Sequence, residues 1–150
     1  MYACVLAHKQ AAFLAPTEIL AKQHGNNLKK IFHDYEIQVE VLYASLKTQE
    51  KKDILERLAR NEIDILVGTH ALFQEGVEFH DLGMVVADEQ HRFGVAQRKK
   101  MLEKGDKVDF LLMSATPIPR TLAISLYGDM DVSTIQTLPS GRQKITTKLV

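Results

Sequence analysis

The sequence predicts an α/β fold, a three-layer α/β/α sandwich on a mostly parallel sheet, and three observations carry that prediction. Short apolar runs recur along the chain, at Ala11 to Ala15, Ile37 to Tyr43, Ile63 to Val67, Met84 to Ala87 and Phe110 to Met113. Most are continuously apolar rather than alternating, which is the pattern of strands covered on both faces. Segments of helical periodicity separate them, and strand alternating with helix implies helices packed on both sides of a parallel sheet.

In chain order, Ala11 to Ala15 is the first strand and Thr17 caps the helix that follows. That helix runs from Glu18 to about Asp34, with Leu20, Leu28, Ile31 and Phe32 spaced along one apolar face. Gly25 is a local cost inside it. After the strand Ile37 to Tyr43, Thr48 caps a second helix reaching about Asn61, with Ile54, Leu55 and Leu58 facing inward. Ile63 to Val67 and Met84 to Ala87 are the next strands, a third helix covers Val95 to Glu103, and Phe110 to Met113 is the fifth strand. Pro117 and Pro119 suit the first turn of a fourth helix, which Gly128 ends. A more polar strand candidate runs from Asp131 to Thr137. Beyond it "LPSGRQ" reads as a turn, with Pro139 second and Gly141 fourth, on an exit linker.

The totals bound the function classes. A chain of 150 residues, 45% hydrophobic and 25% charged, fits one soluble globular domain with a real core. No stretch approaches the ~20 apolar residues of a membrane span, so a cytoplasmic protein is expected. The lone Cys4 excludes an internal disulfide and reads as a small core residue. Nineteen basic residues balance nineteen acidic ones, so no global positive field advertises nucleic acid and any such contact must be local. Lys22, Lys29 and Lys30 form one basic group, Arg98 to Lys100 a second, and Arg142, Lys144 and Lys148 a third. Groups this small are ordinarily solvated helix faces.

Chemistry concentrates where the strands end. "APTE" follows the first run, "GTH" the third, "DEQH" the fourth and "SATPIPRT" the fifth, each at a carboxyl end. In an open parallel sheet those ends share one edge, and ligands bind in the crevice beyond it. Strand-to-helix loops also carry Ser and Thr simply as caps, which accounts for Thr17 but poorly for DEQH. Asp88 and Glu89 diverge at a strand end. Magnesium takes one or two carboxylates with phosphates and water, and a second carboxylate can orient or deprotonate an attacking water. Gln90 and His91 can sense the phosphate or pass the signal on. The bland reading of the same residues is a solvated acidic loop.

Other chemistries fit less well. The six histidines form no HExxH and no paired Cys/His spacing, which argues against zinc; His8, His24, His33, His70 and His80 read as surface or packing residues. Ser114 lies in "MSATP" rather than a GxSxG elbow, which argues against a serine hydrolase.

Four stretches together, "FLAPTEILAKQH", "VGTHALFQEGVEFHDLGMVVADEQHRFGVAQR", "LLMSATPIPRTLAISLYGDMDVSTI" and "LPSGR", resemble the first motor lobe of the RecG family, ATP-dependent branch-migrating DNA helicases of superfamily 2. The likeness spans nearly the whole chain. It implies a RecA-like helicase domain in which Asp88 holds magnesium through water, Glu89 activates the hydrolytic water and also belongs to the metal site, and Gln90 with His91 couples nucleotide to motor. By the same likeness Pro16, Thr17 and Glu18, and again Gly68, Thr69 and His70, touch the DNA backbone. Ser114, Ala115 and Thr116 link hydrolysis to strand movement, and Arg120 belongs to the RecG pattern of Pro117 to Thr121. Transcription-repair coupling factors share TPIPRTL and the RFGV loop, but Gln90 and His91 favour RecG.

The departure from the family pattern is the glycine-rich phosphate loop, GxxxxGK[ST], which the given sequence does not contain. Its only Lys-Thr pair, Lys47-Thr48, has no preceding glycine pattern. The resemblance therefore implies an incomplete motor domain over residues 1–137, truncated at the N-terminus, with 138–150 a linker toward an absent second lobe; the wedge domain that grips branched DNA is absent too. ATP and magnesium are cofactors of the intact parent, bound poorly by this segment, and forked or branched DNA is the partner. Because phosphoryl transfer rests on positioning and charge stabilisation, the segment alone is expected neither to hydrolyse ATP nor to unwind DNA. Alternatives are a decayed, non-catalytic lobe with weak DNA or partner binding, and a lobe of a coupling-factor-like translocase. A bare sheet edge would favour self-association.

Overall fold

The computed structural model describes residues 1–88, 95–115, 131–135 and 137. Five strands, β1 (Gln10–Leu14), β2 (Val39–Leu42), β3 (Ile65–Gly68), β4 (Leu82–Ala87) and β5 (Asp109–Leu112), form one sheet in the order β2-β3-β1-β4-β5. Every pairing is parallel. The helices are α1 (Tyr2–Leu6), α2 (Glu18–Ile31), α3 (Thr48–Ala59) and α4 (Val95–Leu102), with short 3₁₀ turns at His33–Tyr35 and His70–Phe73. All of these lie in the first of two units into which the chain divides, Met1–Pro117 and Ile118–Val150.

Alternation along the strands builds the three layers. Ala11, Phe13 and Ala15 pack with Cys4 and Val5 of α1 and with Leu20, Ala21 and Leu28 of α2. Ala12 and Leu14 face the other way, into Ile54 and Leu58 of α3 and Met101 of α4. Leu14, Leu58 and Leu66 are fully buried, each stabilising the fold by roughly 1.5–3 kcal/mol relative to exposure. The path of the chain explains the faces. From β1 it moves outward to β2 over α2, then returns to β3 over α3; reversing direction with crossovers of one hand places the helices on opposite faces. From β3 to β4 and β5 it keeps that second direction, and Ala71 and Leu72 with α4 accordingly share the α3 side.

Local differences from the sequence reading have physical causes. β1 begins one residue early, at Gln10, because this buried side chain is fully bonded. Its Nε2 donates to the carbonyls of Leu58 (2.9 Å) and Ile63 (2.7 Å), while Oε1 accepts from the N–H groups of His80 (2.6 Å) and Asp81 (3.3 Å). Thr48 is the first residue of α3 rather than its cap; Lys47 occupies the cap position in extended backbone and makes no side-chain bond there. α2 stops at Ile31 and its end tightens into the turn His33–Tyr35, which leaves Ile31 61% exposed while Phe32 is buried. Gly25 is no idle cost. A Cβ there would overlap Val41 Cγ2, so glycine is what lets α2 lie close on β2.

β5 departs from full coverage. Asp109 and Leu111 are exposed while Phe110 and Leu112 pack inward, because among the described residues β5 is the sheet's edge on that side. Asp131 to Ile135 form no strand, against the expectation for 131–137. The helix expected after Pro117 and Pro119, and the LPSGRQ turn, lie outside the described residues. Cys4 is a half-buried packing residue as expected, its Sγ–H directed to the carbonyls of Gln10 (3.5 Å) and Lys9 (3.7 Å), with burial raising its pKa and keeping it a poor thiolate. Among the described residues no helix is long and apolar enough to cross a membrane.

Candidate functional site

The strands end level. Leu14 is in register with Gly68 on one side and Ala87 on the other, and Ala87 with Leu112. Backbone bonding continues one residue beyond: Ala15 N–H donates to Gly68 O (2.8 Å), Asp88 N–H to Leu14 O (2.9 Å) and Met113 N–H to Ala87 O (2.9 Å). Thr69 and Asp88 directly follow their strands, with Ser114 second and Thr17 third after theirs. One rim therefore collects Thr17, Thr69, Asp88 and Ser114, as the placement of the motifs in the sequence requires.

Thr17 and Glu18 build the first corner of this rim. Thr17 Oγ1 accepts from Leu20 N–H at 3.3 Å, capping α2, and its own hydroxyl proton stays available for donation. Both Glu18 oxygens are engaged by Ser45, whose N–H donates to Oε1 (3.2 Å) and whose Oγ–H donates to Oε2 (2.7 Å). Those bonds hold the carboxyl below its ordinary pKa.

At the end of β3, Gly68 is required by crowding, since a Cβ would meet the Leu42 carbonyl at 2.6 Å and the Leu72 side chain at 2.8 Å. Thr69 is buried, and its carbonyl accepts from Leu72 N–H at 3.1 Å, closing the turn that carries His70. His70 is exposed, its ring 5.9 Å from that of Phe73.

Asp88 is the chemical centre of the described rim. Its side chain is 25% exposed, and Oδ2 lies 3.2 Å from Nε2 of His24 on α2. A carboxylate only accepts, so Nε2 carries the proton and donates. The His24 ring is itself held against Phe13 of β1, with centroids 4.6 Å apart. Ser114 is half-buried and Ala115 exposed on the segment leaving β5. Glu89, Gln90, His91, Thr116 and Arg120 lie outside the described residues.

His24 packs on Phe13, in keeping with the expectation of a surface or packing histidine, and its polar edge also meets the candidate metal carboxylate, a contact that expectation did not include. The available signal was spacing, since Leu20, His24 and Leu28 fall four apart on the buried face of α2.

Among the described residues no three His, Cys, Asp or Glu side chains gather to hold an ion. A single half-buried carboxylate with one oxygen committed to His24 fits magnesium, which needs only one or two carboxylates alongside phosphates and water.

The described strands form one parallel sheet between helices, with Thr17, Thr69, Asp88 and Ser114 on its carboxyl edge, and this is the architecture of a RecA-like α/β domain. The chain belongs to the DEAD/DEAH box helicase family, whose sequence model matches residues 2–124. It is 54% identical over 147 residues to the ATP-dependent DNA helicase RecG of Bacillus subtilis (strain 168), an alignment covering 98% of this chain and 22% of that protein. It is 52% identical over 150 residues to RecG of Streptococcus pneumoniae serotype 4, covering 100% of this chain and 22% of that one. Among solved structures, RecG bound to a three-way DNA junction matches with a TM-score of 0.74 at 44% identity, over 91% of this chain and 18% of that one. The Mycobacterium smegmatis helicase Lhr matches at a TM-score of 0.64 but 15% identity, over 89% of this chain and 19% of that one, a likeness of fold alone. The chain thus spans about a fifth of the length of the curated relatives it matches.

Proposed function

We propose that this chain is part of the first motor lobe of a cytoplasmic, ATP-dependent DNA helicase of the RecG type, acting on forked or branched DNA. The observation that carries the reading is the level ending of β3, β1, β4 and β5, which sets the loops bearing the family's motifs side by side. Residues 1–137 belong to that lobe, and 138–150 lead toward a second.

ATP with magnesium, when bound, supplies the phosphoanhydride bond and positive charge to offset the charge spread over the transferred phosphoryl oxygens. Asp88 would hold the hydrated metal, and Glu89 would complete the acidic pair and accept the proton of the attacking water. Gln90 and His91 couple nucleotide to motor, and Ser114, Ala115, Thr116 and Arg120 pass the event on to strand movement. Pro16, Thr17, Gly68, Thr69 and His70 contact the DNA backbone, where hydroxyl and main-chain donors fix position without reading sequence. Glu18 serves that group indirectly. With both oxygens on Ser45, it anchors the start of α2 and so sets the Thr17 hydroxyl.

DNA-stimulated phosphate release tests the reading. A full-length protein carrying this chain is expected to turn over ATP and to lose that turnover in Asp88→Ala and Glu89→Gln, while the 150-residue chain by itself releases no phosphate. Full-length turnover indifferent to both substitutions would overturn it. Among the described residues β5 is an edge of the sheet, with Leu111 46% exposed, and this edge is the surface through which the isolated chain would self-associate. Light scattering reads that directly, and a clean monomer refutes it.

A further inference from the structure

We propose that His24 is a positioning residue for the metal-binding carboxylate, fixing the Asp88 rotamer so that one oxygen is held by the imidazole and the other is left to the hydrated cation. The inference rests on the reading of Asp88 as the magnesium carboxylate and names the group that aims it.

Three observations converge on His24. Its Nε2 is 3.2 Å from Asp88 Oδ2. The ring cannot swing freely, because Phe13, part of the packed face between α2 and the sheet, lies against it at a centroid distance of 4.6 Å. The backbone of Asp88 is fixed separately, its N–H donating to Leu14 O at 2.9 Å. With the main chain held by β1 and one oxygen by α2, the carboxylate has little torsional freedom left. A half-buried acid that must receive a hydrated cation gains from that, since ordering the ligand beforehand removes the entropy cost at binding. Partners of metal ligands act in this way generally, and losing one typically weakens metal affinity 10–100-fold.

The geometry also links two functional loops. His24 stands on the helix whose first turn carries Thr17 and Glu18, so the element that bears the DNA-contact motif also bonds the metal carboxylate. A shift of α2 along its axis would move the imidazole relative to Asp88.

The test uses the full-length protein carrying this chain, with Mn²⁺ as probe and a non-hydrolysable ATP analogue present, bound metal being read by electron paramagnetic resonance. His24→Phe keeps a ring on Phe13 and removes the donor; it is expected to weaken Mn²⁺ about tenfold. His24→Gln keeps a terminal N–H and is expected to recover most of that loss, which a role in packing alone would not allow. Asp88→Ala is the reference. If it abolishes the Mn²⁺ signal while His24→Phe leaves affinity unchanged, the positioning role is overturned and the carboxylate reading stands. If Asp88→Ala leaves Mn²⁺ binding intact, the carboxylate reading falls and this inference with it. A nitrogen-15 spectrum supplies a metal-free readout: His24 is expected to show the Nε2–H tautomer in the parent and to lose that preference in Asp88→Ala. A mixed tautomer population in the parent would overturn the contact.

Discussion

Ser45 donates both its N–H and its hydroxyl to the Glu18 carboxylate, at 3.2 and 2.7 Å, tying the first turn of α2 to the loop that follows β2. The bonds favour the ionised form and lower the Glu18 pKa in the folded protein. A lowered folded-state value means that the unfolded chain binds the proton more readily, so the stabilisation is complete above the ordinary carboxylate pKa and disappears as pH falls through the folded one. Ser45→Ala removes the hydroxyl bond and leaves the N–H. The stability gap between parent and variant is therefore expected to be widest near neutrality and to close in acid, as measured by urea unfolding across that range. A gap that widened on acidification would refute the assignment. In the variant, the Glu18 carboxyl resonance should titrate closer to the ordinary value.

Gly25→Ala tests the close approach of α2 to β2. Helix propensity alone favours alanine over glycine by about 1 kcal/mol, so in an open helix the substitution would stabilise. Here the new methyl would overlap Val41 Cγ2, and overpacking of this kind costs about 1–3 kcal/mol. Net destabilisation is expected in urea, and Gly25→Ala combined with Val41→Ala should recover most of it. Stabilisation by Gly25→Ala alone would show that α2 lies farther from the sheet.

The strands were legible because burial on both faces leaves continuous apolar runs, and β1, β3 and β4 are the most buried strands. The rim was legible for the same reason, since each motif follows such a run directly. What was not legible needed partners far along the chain. Gln10 looks like an interruption before an apolar run until the carbonyl of Leu58 and the N–H of His80 are seen around it. His24 and Asp88 are 64 residues apart, and no local pattern links them. For Asp131 to Ile135 the signal was strand propensity in Val, Thr and Ile, which describes fit to a half-buried sheet, whereas these residues are exposed.

Gln10→Leu is expected to be severe for a reason unrelated to volume. The glutamine serves two acceptors and two donors, joining the end of α3, the approach to β3 and the entry to β4. Leucine fits the space but strands those main-chain groups, and each one left buried and unpaired costs about 1–3 kcal/mol. A loss of on the order of 3 kcal/mol or more is expected in chemical denaturation, with Gln10→Glu recovering only the donors' side of the network. A variant within 1 kcal/mol of the parent, about the ordinary net worth of one hydrogen bond, would show that water replaces the glutamine.

DNA affinity of the 150-residue chain should be low and should fall with salt, for reasons visible in its charges. Formal net charge is zero. Of the basic group on α2, Lys22 lies 4.2 Å over the Tyr43 ring and Lys29 pairs with Glu40 at 3.2 Å, so two of its members are already engaged within the chain. Few counterions can then be released on binding. Each neutralised phosphate contributes about −0.9 to the slope of log affinity against log salt on duplex DNA, so two or three contacts give a slope of about −2 to −3. Fluorescence anisotropy with labelled duplexes of unrelated sequence reads both quantities. The expected result is weak binding of equal strength across sequences, reduced further in His70→Ala, because contacts at the strand rim fix the backbone rather than the bases. Tight binding that ignored salt, or that preferred one sequence, would mean that this rim reads bases, and the motor reading of Thr17, Thr69 and His70 would have to be abandoned.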